Sequence, residues 1–298
     1  MNRLIAHLVV LPRWFATLAA VTAIIFGGLL VGAGAFDLFV AVLAGLLLMA
    51  YAHSWNSYHD WAITGFDKGP AEGRSKIKLY TSGQSLLAQG ILSEQEVLAN
   101  SLVWLILSVP ATLYLSLNST NWVWLVWGLV VLCAPWYSFA KKLWHPDLPL
   151  GFGFATCAVW LGMCCVGQPD WDTGFLASLP LFILWGTGAE HVDQGIDYES
   201  DWKKGGRSLG LWMKYVGVSF GWSITWLVML IYLLQVMLIS IGILAPWTAL
   251  TFIAIAPFMV CATAIHTDMR TAIIWGLAAI FLYQTLIAVG QGVANISL

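Results

Sequence analysis

Three aspartates, Asp193, Asp197 and Asp201, lie four residues apart in the stretch HVDQGIDYESDWKKGGRSL, residues 191–209. In a helix this spacing puts all three carboxylates on one face. Like charges stacked in this way destabilise a helix by a few tenths of a kcal/mol per pair. Single carboxylates in loops are usually solvated surface groups, but three stacked carboxylates are less well explained in that way. We therefore expect a bound cation to balance their charge.

A second polar group occurs earlier, in AHSWNSYHDWAITGFDKG, residues 52–69. Asn56 and Asp60 are four residues apart, and Asp67 follows seven residues later. On one continuous helix these three side chains would point in roughly the same direction. Gly65 and the Gly-Pro pair at 69–70 indicate that the helix loosens there, so the direction of Asp67 is left open.

The chemistry that suits paired carboxylate clusters is Mg²⁺ binding. Mg²⁺ takes oxygen ligands in octahedral geometry and usually binds through one or two carboxylates together with substrate phosphates. Two such clusters on opposite walls could hold Mg²⁺ around one diphosphate, and basic residues follow both of them. Those residues are Lys68, Arg74, Lys76, Lys78, Lys203, Lys204 and Arg207, with Lys141 and Lys142 nearby in the predicted topology. Cations around a phosphate stabilise the charge that develops as it leaves.

Zinc or haem is a weaker interpretation of the same region. His53, His59 and His191 lie near the acidic clusters, but no HxxxH or HExxH spacing occurs in the sequence. The pattern therefore favours a diphosphate leaving group whose apolar tail lies in the membrane.

The elements that must position these residues are predicted to be transmembrane helices. The chain is 60% hydrophobic and only 9% charged, against roughly 25% charged residues in an ordinary soluble domain. Apolar runs of about 20 residues can cross the hydrocarbon layer. Nine such runs lie near 14–33, 37–56, 97–117, 121–140, 149–168, 174–193, 213–239, 244–265 and 271–293.

The basic residues predict the orientation of these spans. In a nine-span arrangement all 13 Lys and Arg residues fall on the same side as the N-terminus, and short cytoplasmic loops are enriched in such residues. We therefore expect an integral, multi-pass membrane protein with a cytoplasmic N-terminus and its active site on the cytoplasmic side. The sequence has no basic tail that would suggest nucleic-acid binding.

The domain organisation is predicted to be a single transmembrane domain over residues 1–298, with cytoplasmic cap loops at about 57–96 and 194–212. Connections this long are unusual and are often functional. The two acidic clusters follow spans two and six, which indicates a loose parallel repeat with the clusters facing each other across a central cavity.

These motifs resemble those of the UbiA superfamily of intramembrane prenyltransferases, and the resemblance covers nearly the whole chain. The stretch DYESDWKKGGRSL, residues 197–209, is similar to the D-x-E-x-D-x-x-x-G-x-R-[ST]-L pattern of the branch that prenylates 1,4-dihydroxy-2-naphthoate on the way to menaquinone. The stretch SGQSLLAQGILSEQEV, residues 82–97, also resembles that branch.

The first motif departs from the family pattern N-D-x-x-D. Ser57 stands where the family usually has Asp directly after Asn. Asp67 is displaced by one residue from the spacing of the naphthoate branch and by three from that of the wider family. The resemblance therefore transfers most directly to Asn56 and Asp60.

The resemblance implies an all-α fold of about nine helices around a central cavity and a Mg²⁺-dependent transfer reaction. A polyprenyl group would pass from its diphosphate, through an allylic carbocation, to a lipophilic acceptor that is aromatic and preferably naphthoate-like. The implied catalytic residues are Asn56, Asp60, Asp197 and Asp201, with Lys68, Lys141 and Arg207 on the diphosphate and Asp60, Asp67, Asp193, Asp197 and Asp201 around the metal.

Two alternatives remain open at the level of sequence. A UbiA-type enzyme could use another acceptor, or it could let the carbocation cyclise as in a terpene cyclase. A secondary transporter also uses repeats and intramembrane carboxylates, but it predicts acidic residues deep within the spans, where this sequence has essentially none.

Overall fold

The fold is described here from a computed structural model, which covers residues 2–68, 83–143, 145–189 and 201–296. The residues in these ranges form helices and connecting turns, and none of them lies in a β-strand. The predicted all-α architecture is therefore confirmed. Asp193 and Asp197 of the second acidic motif lie outside the described residues, as do Arg74, Lys76 and Lys78.

The helices are numbered in chain order, and several contain a π-helical turn. The first six are α1 (Arg3–Ile5, continued as a π turn over Ala6–Val10), α2 (Trp14–Leu30), α3 (Ala35–Tyr58, continued as a π turn over His59–Ile63), α4 (Gly83–Ala88), α5 (Glu94–Asn118) and α6 (Val123–Leu143). The next two are α7 (Asp147–Gly151, a π turn over Phe152–Thr156, then Cys157–Met163) and α8 (Trp171–Ile183, then a π turn over Leu184–Ala189). The last four are α9 (Leu209–Tyr215), α10 (Phe220–Ser240), α11 (3₁₀ over Pro246–Ala254, then Ile255–Ala264) and α12 (Met269–Ile296).

Six helices in the described part of the chain are long and apolar enough to cross a membrane. They are Ala35–Ile63, Glu94–Asn118, Val123–Leu143, Phe220–Ser240, Pro246–Ala264 and Arg270–Ile296. The first and fifth predicted spans coincide with shorter apolar helices, Ala16–Leu30 and Asp147–Met163. The sixth overlaps α8 and continues past the described residues. The count of nine spans and the cytoplasmic N-terminus therefore stay predictions.

Local sequence signals explain where several helices begin. At the start of α5, the Ser93 hydroxyl accepts a hydrogen bond from the Glu96 backbone N–H, and the Glu96 carboxylate accepts one from the Ser93 backbone N–H. This reciprocal capping box satisfies two N–H groups that a helix end otherwise leaves unpaired. At α9 and α10 the Ser208 and Ser219 side chains accept a hydrogen bond from the Leu211 and Trp222 backbone N–H groups, without the reciprocal bond.

Glycines allow close helix packing where α2 crosses α7. A Cβ atom added to Gly27 would lie 2.0 Å from the Val159 carbonyl oxygen, and one added to Gly162 would lie 2.0 Å from the Ile24 carbonyl oxygen. Small residues at such crossings let backbones approach closely, which is how helices in a membrane gain van der Waals contact. The first half of α7 also lines the cavity described below.

A small second core joins α1, α4 and the beginning of α5. It consists of Ala6, Val10, Leu11, Leu86, Leu87, Leu92 and Val97. Outside it, Arg3 forms a two-pronged ion pair with Glu96, with N–O distances of 2.6 and 2.7 Å. The N-terminal segment and α4 are thereby held over the end of α3 that carries Asp60.

Candidate active site

Asp60 is the centre of a buried polar cluster. It is fully buried and lies in the π turn that continues α3. The Asn56 side-chain amide, one turn earlier, donates to Asp60 Oδ2 at 2.9 Å and to the Ser138 hydroxyl of α6 at 2.9 Å. The Lys141 ammonium, also on α6, forms an ion pair with the same carboxylate oxygen. Asn56 and Asp60 therefore lie together as the sequence predicted, and Lys141 joins them.

The other carboxylate oxygen of Asp60, Oδ1, differs from Oδ2 in its contacts. Oδ1 is buried and has no hydrogen-bond partner among the described residues, because Asn56, Gln84 and Lys141 all approach Oδ2. A buried acceptor without a partner is costly, so such an atom in a folded protein calls for an explanation. A bound cation supplies one.

The residues present fit Mg²⁺. Its preferred ligands are carboxylate oxygens, water and substrate phosphates, and one or two protein carboxylates suffice. Asp60 Oδ1 meets this requirement. Within the described ranges no three Asp, Glu, His or Cys side chains gather into a complete metal site.

The π turn explains the unusual position of Asp67. A π turn closes i to i+5 hydrogen bonds and so holds one residue more than an α turn, which matches the one-residue displacement noted in the sequence. After the turn the chain reverses at Gly65, with φ +64°, and the Asp67 backbone N–H donates to the Asp60 carbonyl at 3.2 Å. The extra residue is absorbed within the helix, and Asp67 stays next to Asp60.

Packing of α4 accounts for Ser57, where the family pattern has Asp. Ser57 is fully buried, and its hydroxyl donates to the His53 carbonyl at 3.0 Å. The backbone of Gly83 approaches so closely that an added Cβ would lie 2.3 Å from Ser57 Oγ. A larger side chain at position 57 would push α4 away from α3.

The described end of the second motif lies against the first motif. The Lys204 ammonium is 3.4 Å from Asp67 Oδ1, and the Arg207 backbone N–H donates to the Lys141 carbonyl at 3.0 Å. The Arg207 guanidinium lies over the Trp202 ring, with a distance of 4.6 Å to its centroid. Asp201, at the start of this segment, accepts a hydrogen bond from the Gly206 N–H through its backbone carbonyl at 2.8 Å.

The predicted basic residues differ in their distance from Asp60. Lys141 reaches Asp60 directly and also lies 4.7 Å from the centre of the Tyr137 ring and 5.5 Å from that of Phe66. Lys204 approaches the same Phe66 ring at 5.7 Å. Lys68 is exposed beside Asp67. Positive charge therefore surrounds the first motif.

Sequence reasoning missed three residues here, of which two belong to the Asp60 cluster and one, Arg13, contacts it only through Gln84. Gln84 of α4 has its amide nitrogen 3.5 Å from Asp60 Oδ2, and its carbonyl accepts a hydrogen bond of 2.9 Å from the Arg13 guanidinium. The third residue is Ser138, whose hydroxyl accepts a hydrogen bond from the Asn56 amide. Gln84 belongs to the 82–97 stretch whose resemblance is noted above, whereas Arg13 and Ser138 carry no local signal.

A cavity opens beside Asn56, between α2, α3, α6 and α7. It leaves about 550 Å³ of space, including its open mouth. The lining is mostly apolar and aromatic and comprises Arg13, Met49, Ala52, His53, Asn56, Val130, Cys133, Ala134, Tyr137, Pro149, Leu150, Gly153 and Phe154. Asn56 connects this cavity to the Asp60 cluster.

The whole fold matches solved structures of UbiA homologues and of a synthase. It superposes on a UbiA homologue from Aeropyrum pernix K1 with a TM-score of 0.64, at 17% identity over 95% of this chain and 98% of that one. A structure described for digeranylgeranylglyceryl phosphate synthase gives a TM-score of 0.58 at 18% identity over 98% and 99% of the two chains. A UbiA homologue from Archaeoglobus fulgidus, bound to GPP and Mg²⁺, gives 0.56 at 15% identity over the full length of both.

No family model and no curated protein matches the sequence. At the identities of the structural matches, the likeness establishes that this chain has the UbiA-type fold. The fold class implied by the two motifs is therefore confirmed.

Proposed function

We propose that the chain is a Mg²⁺-dependent prenyltransferase that transfers a polyprenyl group from its diphosphate to a lipophilic aromatic acceptor. The observation that carries the proposal is the buried Asp60 cluster, which lies beside an apolar cavity lined by Asn56. In this cluster one carboxylate oxygen has no partner among the described residues, and Lys141 supplies a counter-charge. The full-length likeness to a UbiA homologue bound to GPP and Mg²⁺ supports it.

In this proposal Asp60 and Asp67 hold Mg²⁺ from one side, and Asp193, Asp197 and Asp201 hold it from the other. Bound Mg²⁺ would neutralise the negative charge on the departing diphosphate. Asn56 keeps Asp60 in position through its amide hydrogen bond. Lys141, Lys68 and Arg207 would add positive charge around the same phosphate oxygens.

The allylic C–O bond then breaks, and its electron pair leaves with the diphosphate. The remaining carbocation lies in the cavity, whose lining includes the rings of Tyr137 and Phe154. A cation over an aromatic face gains about 0.5–2 kcal/mol. A nucleophilic ring carbon of the acceptor forms the new C–C bond, and the ring loses a proton to regain aromaticity.

A naphthoate-like acceptor, as used in menaquinone biosynthesis, is the one favoured within this proposal. Support comes from the stretches at 82–97 and 197–209, which resemble the naphthoate branch. Gln84, from the first of these stretches, contacts the Asp60 cluster.

The proposal is tested with the full chain purified in detergent, Mg²⁺, and geranylgeranyl or longer diphosphates. The acceptor panel comprises 1,4-dihydroxy-2-naphthoate, 4-hydroxybenzoate, geranylgeranylglyceryl phosphate and a reaction without acceptor, with products analysed by mass spectrometry. We expect a prenylated naphthoate. A cyclised hydrocarbon without acceptor would identify a terpene cyclase instead, and the absence of diphosphate release under all conditions would refute the proposal.

A further inference from the structure

Arg13 alone carries a formal charge among the cavity-lining residues, all of which belong to the described part of the chain. It directly precedes α2, and its backbone is in the left-handed region with φ 49°. A non-glycine residue rarely adopts this conformation, and such outliers concentrate at functional sites. The strain places a long cationic side chain at the cavity wall.

The guanidinium of Arg13 lacks an anionic partner among the described residues. One terminal nitrogen donates to the neutral Gln84 carbonyl at 2.9 Å, while Nε is buried and has no hydrogen-bond partner. Arg13 as a whole is half-buried, but its Nε atom is buried, and a buried polar atom without a partner is costly. The site is therefore set up for an anion that enters the cavity from outside the protein.

Aromatic and apolar residues line the cavity around Arg13. His53 is nine-tenths buried, and its Nε2 has no partner. Its ring packs against Phe154 at a centroid distance of 5.4 Å, and Phe154 stacks on Trp185 at 5.2 Å. The remaining walls include Met49, Val130 and Leu150. An aromatic molecule with one anionic end fits such a lining.

We propose that Arg13 determines acceptor specificity by binding a carboxylate on the aromatic acceptor, with His53 offering a second polar contact. This inference rests on the proposed function and names the acceptor class as aromatic acids. The diphosphate is the other possible anion, but Lys141 already provides the positive charge beside Asp60, and Gln84 lies between Arg13 and that carboxylate.

The test compares 1,4-dihydroxy-2-naphthoic acid with its methyl ester, which keeps the rings but removes the charge. We expect the native chain to prefer the acid. Arg13→Gln should raise KM for the acid by about 10- to 100-fold, as when a charge-assisted hydrogen bond is lost, with little change for the ester or the prenyl donor. Arg13→Lys should recover part of the preference for the acid, because Lys keeps the positive charge but lacks the planar guanidinium group of Arg.

The matched control is Arg3→Gln, which removes an exposed Arg from the same N-terminal segment and should leave the preference unchanged. Thermal unfolding of each variant shows whether it is folded. Equal losses for acid and ester, a change confined to the donor KM, or no change at all would each overturn the proposal.

A binding measurement separates this inference from the proposed function. Calorimetry with acid and ester in the absence of donor should show tighter binding of the acid to the native chain and no discrimination by Arg13→Gln. This result can hold even if prenyl transfer is not observed. Equal binding of acid and ester by the native chain would refute the role of Arg13 whatever the activity.

Discussion

Two buried polar clusters in this protein differ in how completely their atoms are paired. In the Asp60 cluster (Asn56, Asp60, Gln84, Ser138 and Lys141), Asp60 Oδ1 has no partner in the part of the chain that the structure describes. The Gln235 cluster joins α10, α11 and α12 and consists of Tyr232, Gln235, Thr248, Thr251 and Tyr283.

In the Gln235 cluster, both the amide nitrogen and the amide oxygen of Gln235 have hydrogen-bond partners. The Gln235 amide donates to the Thr248 carbonyl at 2.7 Å, and its carbonyl accepts from the Thr251 hydroxyl at 3.0 Å and the Tyr283 hydroxyl at 2.8 Å. These contacts stabilise the 3₁₀ segment of α11, whose hydrogen-bond geometry is poorer than that of an α-helix. A fully paired network of this kind rigidifies a core, whereas a partly paired one beside a cavity is available to a ligand.

The largest effect is expected for Asp60→Asn. It removes the charge that would bind metal, so the rate of prenyl transfer should fall by about 10³-fold or more. The protein should stay folded with some loss of stability, because the amide keeps the shape of the side chain and one acceptor oxygen but leaves Lys141 without its counter-charge. Single-turnover assays with labelled prenyl diphosphate measure the rate.

The control for this change is Asp37→Asn, the same substitution at the opposite end of α3, where the carboxylate accepts a hydrogen bond from Tyr114. It should retain near-native turnover. Native-like activity in Asp60→Asn would show that the Asp60 cluster, like the Gln235 cluster, is not required for catalysis.

Lys141→Met is expected to have the next largest effect. It removes the counter-charge of Asp60 and a candidate diphosphate contact, so kcat/KM for the donor should fall by about 100-fold. It should also lower stability, because Asp60 is left buried without its ion-pair partner. Steady-state kinetics normalised to folded protein measure the first effect. Lys214→Met on α9 is the control, and equal losses in both variants would argue against a local role for Lys141.

Asp67→Asn should have a smaller effect of about 10-fold on kcat. Asp67 sits after the π turn and is partly exposed, and it pairs with Lys204. The apparent affinity for Mg²⁺, measured by titration during turnover, should weaken in parallel. An unchanged Mg²⁺ dependence would show that the displaced carboxylate does not bind the metal.

Gln235→Leu should have the smallest effect on catalysis and a clear effect on stability. It leaves the Thr248 carbonyl and the Thr251 and Tyr283 hydroxyls without their partner, which should lower the free energy of unfolding by about 2–3 kcal/mol. KM and kcat of the folded fraction should stay within twofold of native. Ser240→Ala, at an exposed position on the same helix, is the stability control, and a large change in KM for Gln235→Leu would contradict a purely structural role.

The features that could be predicted from the sequence are those that depend on the spacing of residues within one helix. Long apolar runs gave the all-α membrane architecture, and the four-residue spacing of Asn56 and Asp60 placed both at one end of α3. Contacts between distant segments were not predictable in this way. Gln84, Ser138 and Arg13 are 24 to 82 residues away from their partners in the Asp60 cluster, and no periodicity in the chain encodes that proximity.

The displacement of Asp67 illustrates a further limit. Counted along an ideal α-helix, one extra residue rotates everything after it by about 100°. The π turn over His59–Ile63 absorbs that residue, and the backbone N–H of Asp67 bonds to the Asp60 carbonyl. Helix periodicity alone assumes α geometry, so it could not predict this compensation.

The most direct test of the central claim is the Mg²⁺ dependence of diphosphate release and product formation in the native chain, measured together on one sample. The proposed function predicts that both stop when Mg²⁺ is chelated and both return when it is restored, with one diphosphate released per prenylated acceptor. Prenyl transfer that continues without divalent cations, or diphosphate release with no prenylated product, would contradict it.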